Sequence, residues 1–208
     1  MYRTKAWLKK IKPDFNIKKI KQELIEDLRN LSPNVSKIKR ERPKDRKDLH
    51  LLEISAFDLH LGKIGIKGDE YSMDIAEKRL LSAIDHLLYR AQGYYIDKIL
   101  FIVGQDLLNS DGDWPIPSTT KGTPQFNSAY HIDMYRFARK LMIKAIDILS
   151  EIADVHVMVI PGNHDRESVM HLGDTLELYY ENNKNIKVDN SDCLMKALPY
   201  GNNLIISD

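Results

Sequence analysis

Three short apolar runs, at residues 51–57, 99–103 and 155–160, each give way at once to a cluster of polar residues. The third is the sharpest. Val155-His156-Val157-Met158-Val159-Ile160 is stopped by Pro161-Gly162, which leaves Asn163, His164 and Asp165 just beyond it. Runs this short and this rich in β-branched residues predict buried strands. Between them lie helix-length stretches with apolar residues at helical spacing. One covers residues 72–91, with Ile75, Leu80, Leu81, Ile84, Leu87 and Leu88 on its stripe, and others cover 130–152 and 167–181. Strand alternating with helix predicts an α/β chain whose mainly parallel sheet is covered by helices. Shorter strands are expected at 186–188, 194–197 and 203–207. In such a sheet the carboxyl ends of the strands share one edge, the edge where ligands bind.

Charge divides the chain in two. Residues 1–48 hold 16 Lys/Arg against 7 Asp/Glu, a balance of +9, whereas residues 49–208 hold 15 against 23, a balance of −8. Within the basic part, Ile17, Ile20, Leu24, Leu28 and Leu31 form a helical stripe, and residues 37–48 are almost wholly charged around Pro43. The expected organisation is therefore a basic helical arm and linker at 1–48 and a body at 49–208. A basic arm on an acidic body suggests a polyanionic partner, nucleic acid first. A solvated lysine-rich helix that keeps the chain soluble is the plainer reading. No apolar stretch approaches the roughly 18 residues of a membrane span, and the first ten residues lack the apolar core of a signal peptide. No membrane partner and a cytoplasmic location are the expectations. The single cysteine, Cys193, excludes an internal disulfide and a thiolate metal cluster.

The polar clusters after the three runs are Asp58-Leu59-His60, Gly104-Gln105-Asp106 and Gly162-Asn163-His164-Asp165. Carboxylate, imidazole and amide groups meeting on one edge can ligate a hard cation or move a proton. Each cluster alone is a weak signal; three in this order, each directly after an expected strand, are a strong one. Of the other histidines, His156 reads as a core residue within its strand. His131 and His171 fall near helix starts, from which they could approach a substrate, and His50 and His86 suggest no role.

In these motifs the chain resembles the calcineurin-like metallophosphoesterase superfamily, whose motifs run Asp-x-His, Gly-Asp, Gly-Asn-His-Asp/Glu, then Gly-His and Gly-His-x-His. The first three match across about residues 51–166. The resemblance implies layered sheets flanked by helices. It implies that Asp58 and His60 hold a first divalent metal ion, that Asp106 bridges two, and that Asn163 ligates the second. His164 would be the acid that protonates the leaving oxygen, with Asp165 orienting its imidazole. The ions would be Mn²⁺, with Fe or Zn²⁺ as substitutes, and would activate the water that attacks phosphorus in line. The implied activity is that of a DNA exonuclease or phosphodiesterase. A phosphatase, a small-nucleotide phosphodiesterase and a non-catalytic nucleic-acid-binding module are the alternatives.

Two departures from the family pattern stand out. Gln105 separates Gly104 from Asp106, and the bridge is assigned to Asp106 because a neutral amide bridges two cations poorly. The chain also ends at Asp208, before any Gly-His motif. The resemblance therefore implies the front part of a longer domain, incomplete at the C-terminus, with partial metal binding and little activity. The stretch from Leu107 to Gln125 reads as a long insertion leaving a ligand-bearing strand end, and loops of this length are usually functional or disordered. Its Thr119-Thr120-Lys121-Gly122-Thr123-Pro124-Gln125 is similar to loops of phage and mobile-element relatives of the repair nucleases. Lys121 and Arg166 are the candidate phosphate-binding side chains.

Overall fold

The computed structural model describes residues 48–66, 70–113, 116–193 and 195–207. The basic helix and the linker expected at 1–48 lie, apart from Asp48, outside them. The described chain runs β1 (Leu49–Ser55), α1 (Met73–Arg90), β2 (Tyr95–Gly104), α2 (His131–Ser150), β3 (Asp154–Ile160), α3 (Arg166–Tyr180), β4 (Ile186–Asp189), β5 (Lys196–Tyr200) and β6 (Asn203–Ser207). Strands β1 to β4 pair in parallel in their sequence order, and β5 and β6 form a separate antiparallel pair. The α/β expectation holds in this form: a four-stranded parallel sheet flanked by three helices.

Alternation along the two central strands explains the layers. Ile99, Phe101 and Val103 of β2 and Val155, Val157 and Val159 of β3 share one core with Leu80 and Ile84 of α1, Met142 and Ile146 of α2, and Leu172 and Leu176 of α3. Leu100, Ile102, Met158 and Ile160 point the other way, against Leu198 of β5 and Ile205 of β6. All three helices thus lie on one face, and the β5–β6 hairpin covers the other. A strand covered on both faces needs apolar residues in succession rather than in alternation, which is why β2 and β3 stand out as runs. Each large apolar side chain fully buried in this way contributes roughly 1.5–3 kcal/mol.

Two boundaries differ from expectation. β1 ends at Ser55, short of Phe57, because the backbone turns immediately afterwards into a left-handed conformation at Asp58. The strand expected at 194–197 is instead Lys196–Tyr200. Its limits follow from pairing rather than local apolarity: Tyr200 faces Asn203 across the two-residue turn Gly201-Asn202, with Gly201 at a φ of 58°. Pro199 is tolerated because a two-stranded sheet leaves each strand one free edge. His156 is buried in β3, as its sequence position suggests. Among the described residues, no helix is long and apolar enough to cross a membrane.

The insertion after β2 is tied to the scaffold by its own acids. α1 is capped locally, the Ser72 hydroxyl accepting from the Ile75 N–H at 3.2 Å. α2 and α3 begin at Tyr130 and Asp165 without a side-chain cap of their own. The insertion supplies both. Asp113 accepts from the His131 N–H at 2.7 Å, and Asp111 accepts from the N–H groups of Glu167 at 3.1 Å and Ser168 at 2.9 Å. A carboxylate at a helix start satisfies donors that the helix leaves open and opposes its dipole favourably.

Candidate metal centre

The loops after β1, β2 and β3 leave the same edge of the sheet and stay paired beyond it. The Asp58 and His60 N–H groups donate to the carbonyls of Gln105 and Asp106, both at 2.9 Å, and Leu61 donates to Leu107 at 2.8 Å. Gln105 in turn donates to Ile160 at 2.7 Å. The Tyr71 hydroxyl, at the approach to α1, donates to the Leu59 carbonyl. Ligand-type residues more than a hundred positions apart in sequence are thereby held on a common rim.

Backbone conformation at this rim is unusual. Asp58, His60, Gln105 and Asp106 all have positive φ, between 44° and 65°, and among the described residues they are the only non-glycine positions that do. Non-glycine residues in this region cost energy, Asp and His less than most, and such strain concentrates at functional sites. Two left-handed residues in succession carry the chain round between Gly104 and Leu107. Asp106 reaches the rim at the second of these two residues.

Three of the candidate residues converge. Ligand-type atoms of His60, Asp106 and His164 lie within 4.8 Å of one another, each residue half-buried. The two imidazoles meet edge to face, with centroids 4.6 Å apart. Asp106 is fixed by accepting from the His164 N–H at 2.8 Å, and Gly162 makes room for it. A Cβ on Gly162 would stand 2.1 Å from Asp106 Oδ1 and 2.3 Å from its N. His60 Nδ1 is buried without a hydrogen-bond partner. Burial first, and the neighbouring His164 second, hold the His60 imidazole below its ordinary range, while Asp106 and Asp58 oppose the shift. A neutral ring offers a lone pair, and nitrogen and oxygen donors without thiolate suit Mn²⁺, Fe or Zn²⁺. The residues present therefore fit a divalent cation.

The remaining candidates are arranged around this group. Asp58 stands 3.5 Å from His60 Nε2, with its side chain 74% exposed, and is not one of the converging three. Asn163 is exposed beside His164, its carbonyl accepting from the Thr120 N–H at 2.9 Å. Lys121 and Arg166 are exposed. Thr120, next to Lys121, also accepts from the Arg166 N–H at 3.3 Å, so both cations flank the same turn. His131 Nε2 bonds the Ser168 hydroxyl at 2.8 Å, and His171 lies exposed on α3.

Asp165 has a different task from the one implied by resemblance. It is fully buried, and its two oxygens accept from the backbone N–H groups of Leu108 at 2.8 Å and Gly162 at 3.3 Å. Burial pushes its carboxyl up to about 7, with the Leu108 N–H acting in the opposite direction. The His164 ring is oriented instead by the Asn109 carbonyl, 2.9 Å from Nδ1. A carbonyl can only accept, so Nδ1 carries a proton, and in the neutral tautomer the lone pair is on Nε2. Within the insertion, sequence reasoning assigns no individual role to Asn109 or to the helix-capping Asp111 and Asp113. A backbone carbonyl leaves no trace in residue type, and caps donated from a distant loop obey no fixed spacing.

Compared with known proteins, the chain matches no family model, no curated protein and no solved structure.

Proposed function

We propose that this chain is a metal-dependent phosphoesterase acting on nucleic-acid phosphodiesters. The reading is carried by the convergence of His60, Asp106 and His164 from three separate loops. These three would hold one divalent ion, and a second would draw on Asp58 and Asn163. Such an ion, Mn²⁺ above all, supplies Lewis-acid polarisation of a phosphoryl oxygen and a more acidic water.

The chain's own groups support the remaining requirements. The Asn109 carbonyl holds the His164 proton at Nδ1, so Nε2 is the atom that binds a cation or takes and returns a proton. Asp106 is held by the His164 N–H, which couples the two. Among the described residues, the side chains of Lys63, Lys121 and Arg166 enter no hydrogen bond or ion pair, so they remain available to phosphate oxygens. Asp165 keeps the Leu108 and Gly162 backbone in place. The preference for nucleic acid over a small phosphoester is supported by the basic stretch at 1–48.

Titration with Mn²⁺, followed by electron paramagnetic resonance, tests the reading. Wild-type chain is expected to take up the ion, and Asp106→Ala to weaken uptake by about tenfold or more. Wild-type chain that leaves Mn²⁺ free in solution sinks the proposal. Hydrolysis assays with DNA, bis-p-nitrophenyl phosphate and p-nitrophenyl phosphate then sort the activities. Cleavage of the monoester alone points to a phosphatase, and uptake without any cleavage to a binding module.

A further inference from the structure

We infer that the loops flanking the metal centre form a stacking platform for unpaired nucleotides, so that the chain engages single-stranded nucleic acid. This rests on the phosphodiester reading for the centre itself.

Exposed apolar residues scattered over a surface are ordinary, and this chain carries them on several elements; six of them lie on the two loops beside the centre. Phe126 and Tyr130 are 78% and 74% exposed, and Ile116 of the same insertion is exposed as well. On the facing loop, Phe57, Ile64 and Ile66 are exposed too. The two loops are joined by an antiparallel bridge between Lys63 and Asn127 and by the Ser128 N–H, which donates to the Gly62 carbonyl at 2.7 Å. Exposed rings on joined loops beside a polar centre suit a binding surface.

Asn109 sets the platform's place relative to the centre. Its side-chain amide donates to the Phe126 carbonyl at 3.1 Å and to Asn127 Oδ1 at 2.9 Å, while its own carbonyl accepts from His164 Nδ1. One residue thus separates the Phe126 backbone from the imidazole at the rim. Charge identifies the occupant. Lys63, Lys121 and Arg166 have no acidic partner among the described residues, whereas Asp111 and Asp113 of the insertion cap helices and Asp106 before it bonds His164. Exposed aromatic residues and available cations on the same loops suit a strand that offers bases and phosphates in turn. A duplex keeps its base faces stacked internally and offers the platform phosphates only.

Fluorescence anisotropy with a labelled oligothymidylate and a blunt duplex of equal length, both in EDTA, tests this without any metal. The single strand is expected to bind about tenfold more tightly than the duplex. A Phe126→Ala/Tyr130→Ala variant should lose about tenfold in single-strand affinity and keep its duplex affinity. Both rings are largely in water, so the fold survives their removal; an unchanged Tm checks this. The lysines of 1–48 attract either probe, which makes the difference between probes the readout. Equal affinity for both probes, unchanged affinity in the variant, or no binding at all overturns the platform, and a protein partner for the patch would give the last result. Mn²⁺ uptake by the variant, expected at the wild-type level, keeps a failure of the platform distinct from a failure of the centre.

Discussion

The parallel sheet carries polar clusters in two places, and they are built on opposite principles. At the carboxyl rim, His60, Asp106 and His164 converge, the first two on left-handed backbone, with a buried ring nitrogen left unpaired. Beneath the hairpin, Lys196 is almost fully buried, yet its ammonium donates to the Asp189 carbonyl at 2.9 Å and lies 3.5 Å from the Asp189 carboxylate. The lower cluster closes on itself; the rim leaves lone pairs open. Polar burial alone therefore does not identify a ligand site. Open donors on a backbone forced out of its usual conformation are what set the candidate centre apart.

The comparison breaks first at Gly162. Gly162→Ala forces a methyl group against Asp106 and should cost about 3 kcal/mol, together with most of the Mn²⁺ uptake. Urea denaturation and metal titration on the same preparation check both; wild-type uptake in the variant would mean that Asp106 is not where the ion sits.

Beneath the hairpin the pair sets a smaller effect. Asp189→Ala leaves the buried Lys196 charge without its counterion and should cost about 2 kcal/mol, less than a fully buried pair because Asp189 is partly exposed. Lys196→Met, which removes the charge and keeps the volume, should change stability by under about 1 kcal/mol. Neither should alter Mn²⁺ uptake, and a change there would show that the two clusters are coupled.

The smallest expected effect is the pH response of His156. Burial first, then Lys187, hold its imidazole below the ordinary value of 6.5; Lys98 and Lys196 act the same way and Asp189 opposes them. The unfolded chain therefore binds a proton at a pH where the folded chain does not. Stability contributed by the neutral ring is present above about 6.5 and is lost as the pH falls below it. Urea midpoints measured on either side of that value should fall on acidification, and His156→Leu should flatten the decline. An equal decline in the variant assigns the acid sensitivity elsewhere.

Much of this architecture is legible in the residues. β2 and β3 show as apolar runs because both faces of each are covered, and the helices show through the spacing of Leu80, Ile84, Leu172 and Leu176. His60, Asp106 and His164 were legible as polar residues directly after strands. The shift caused by Gln105 was harder to read, since its accommodation depends on two left-handed residues in succession. Asp165 misled for a simple reason. The role implied for it came from resemblance alone, whereas consecutive side chains diverge and its partners are backbone groups of two other segments. The hairpin's limits followed from pairing, which no local pattern reveals.

Because Asp111 and Asp113 secure the first turns of two different helices, the insertion behaves as a keystone. Anyone redesigning this protein should expect a shortened version to unseat α2 and α3 together, however dispensable a surface loop looks. Replacements that spare the fold are found instead at positions such as Ile116 and Phe126, where side chains stand in water and a change alters what the surface binds without disturbing the masonry beneath.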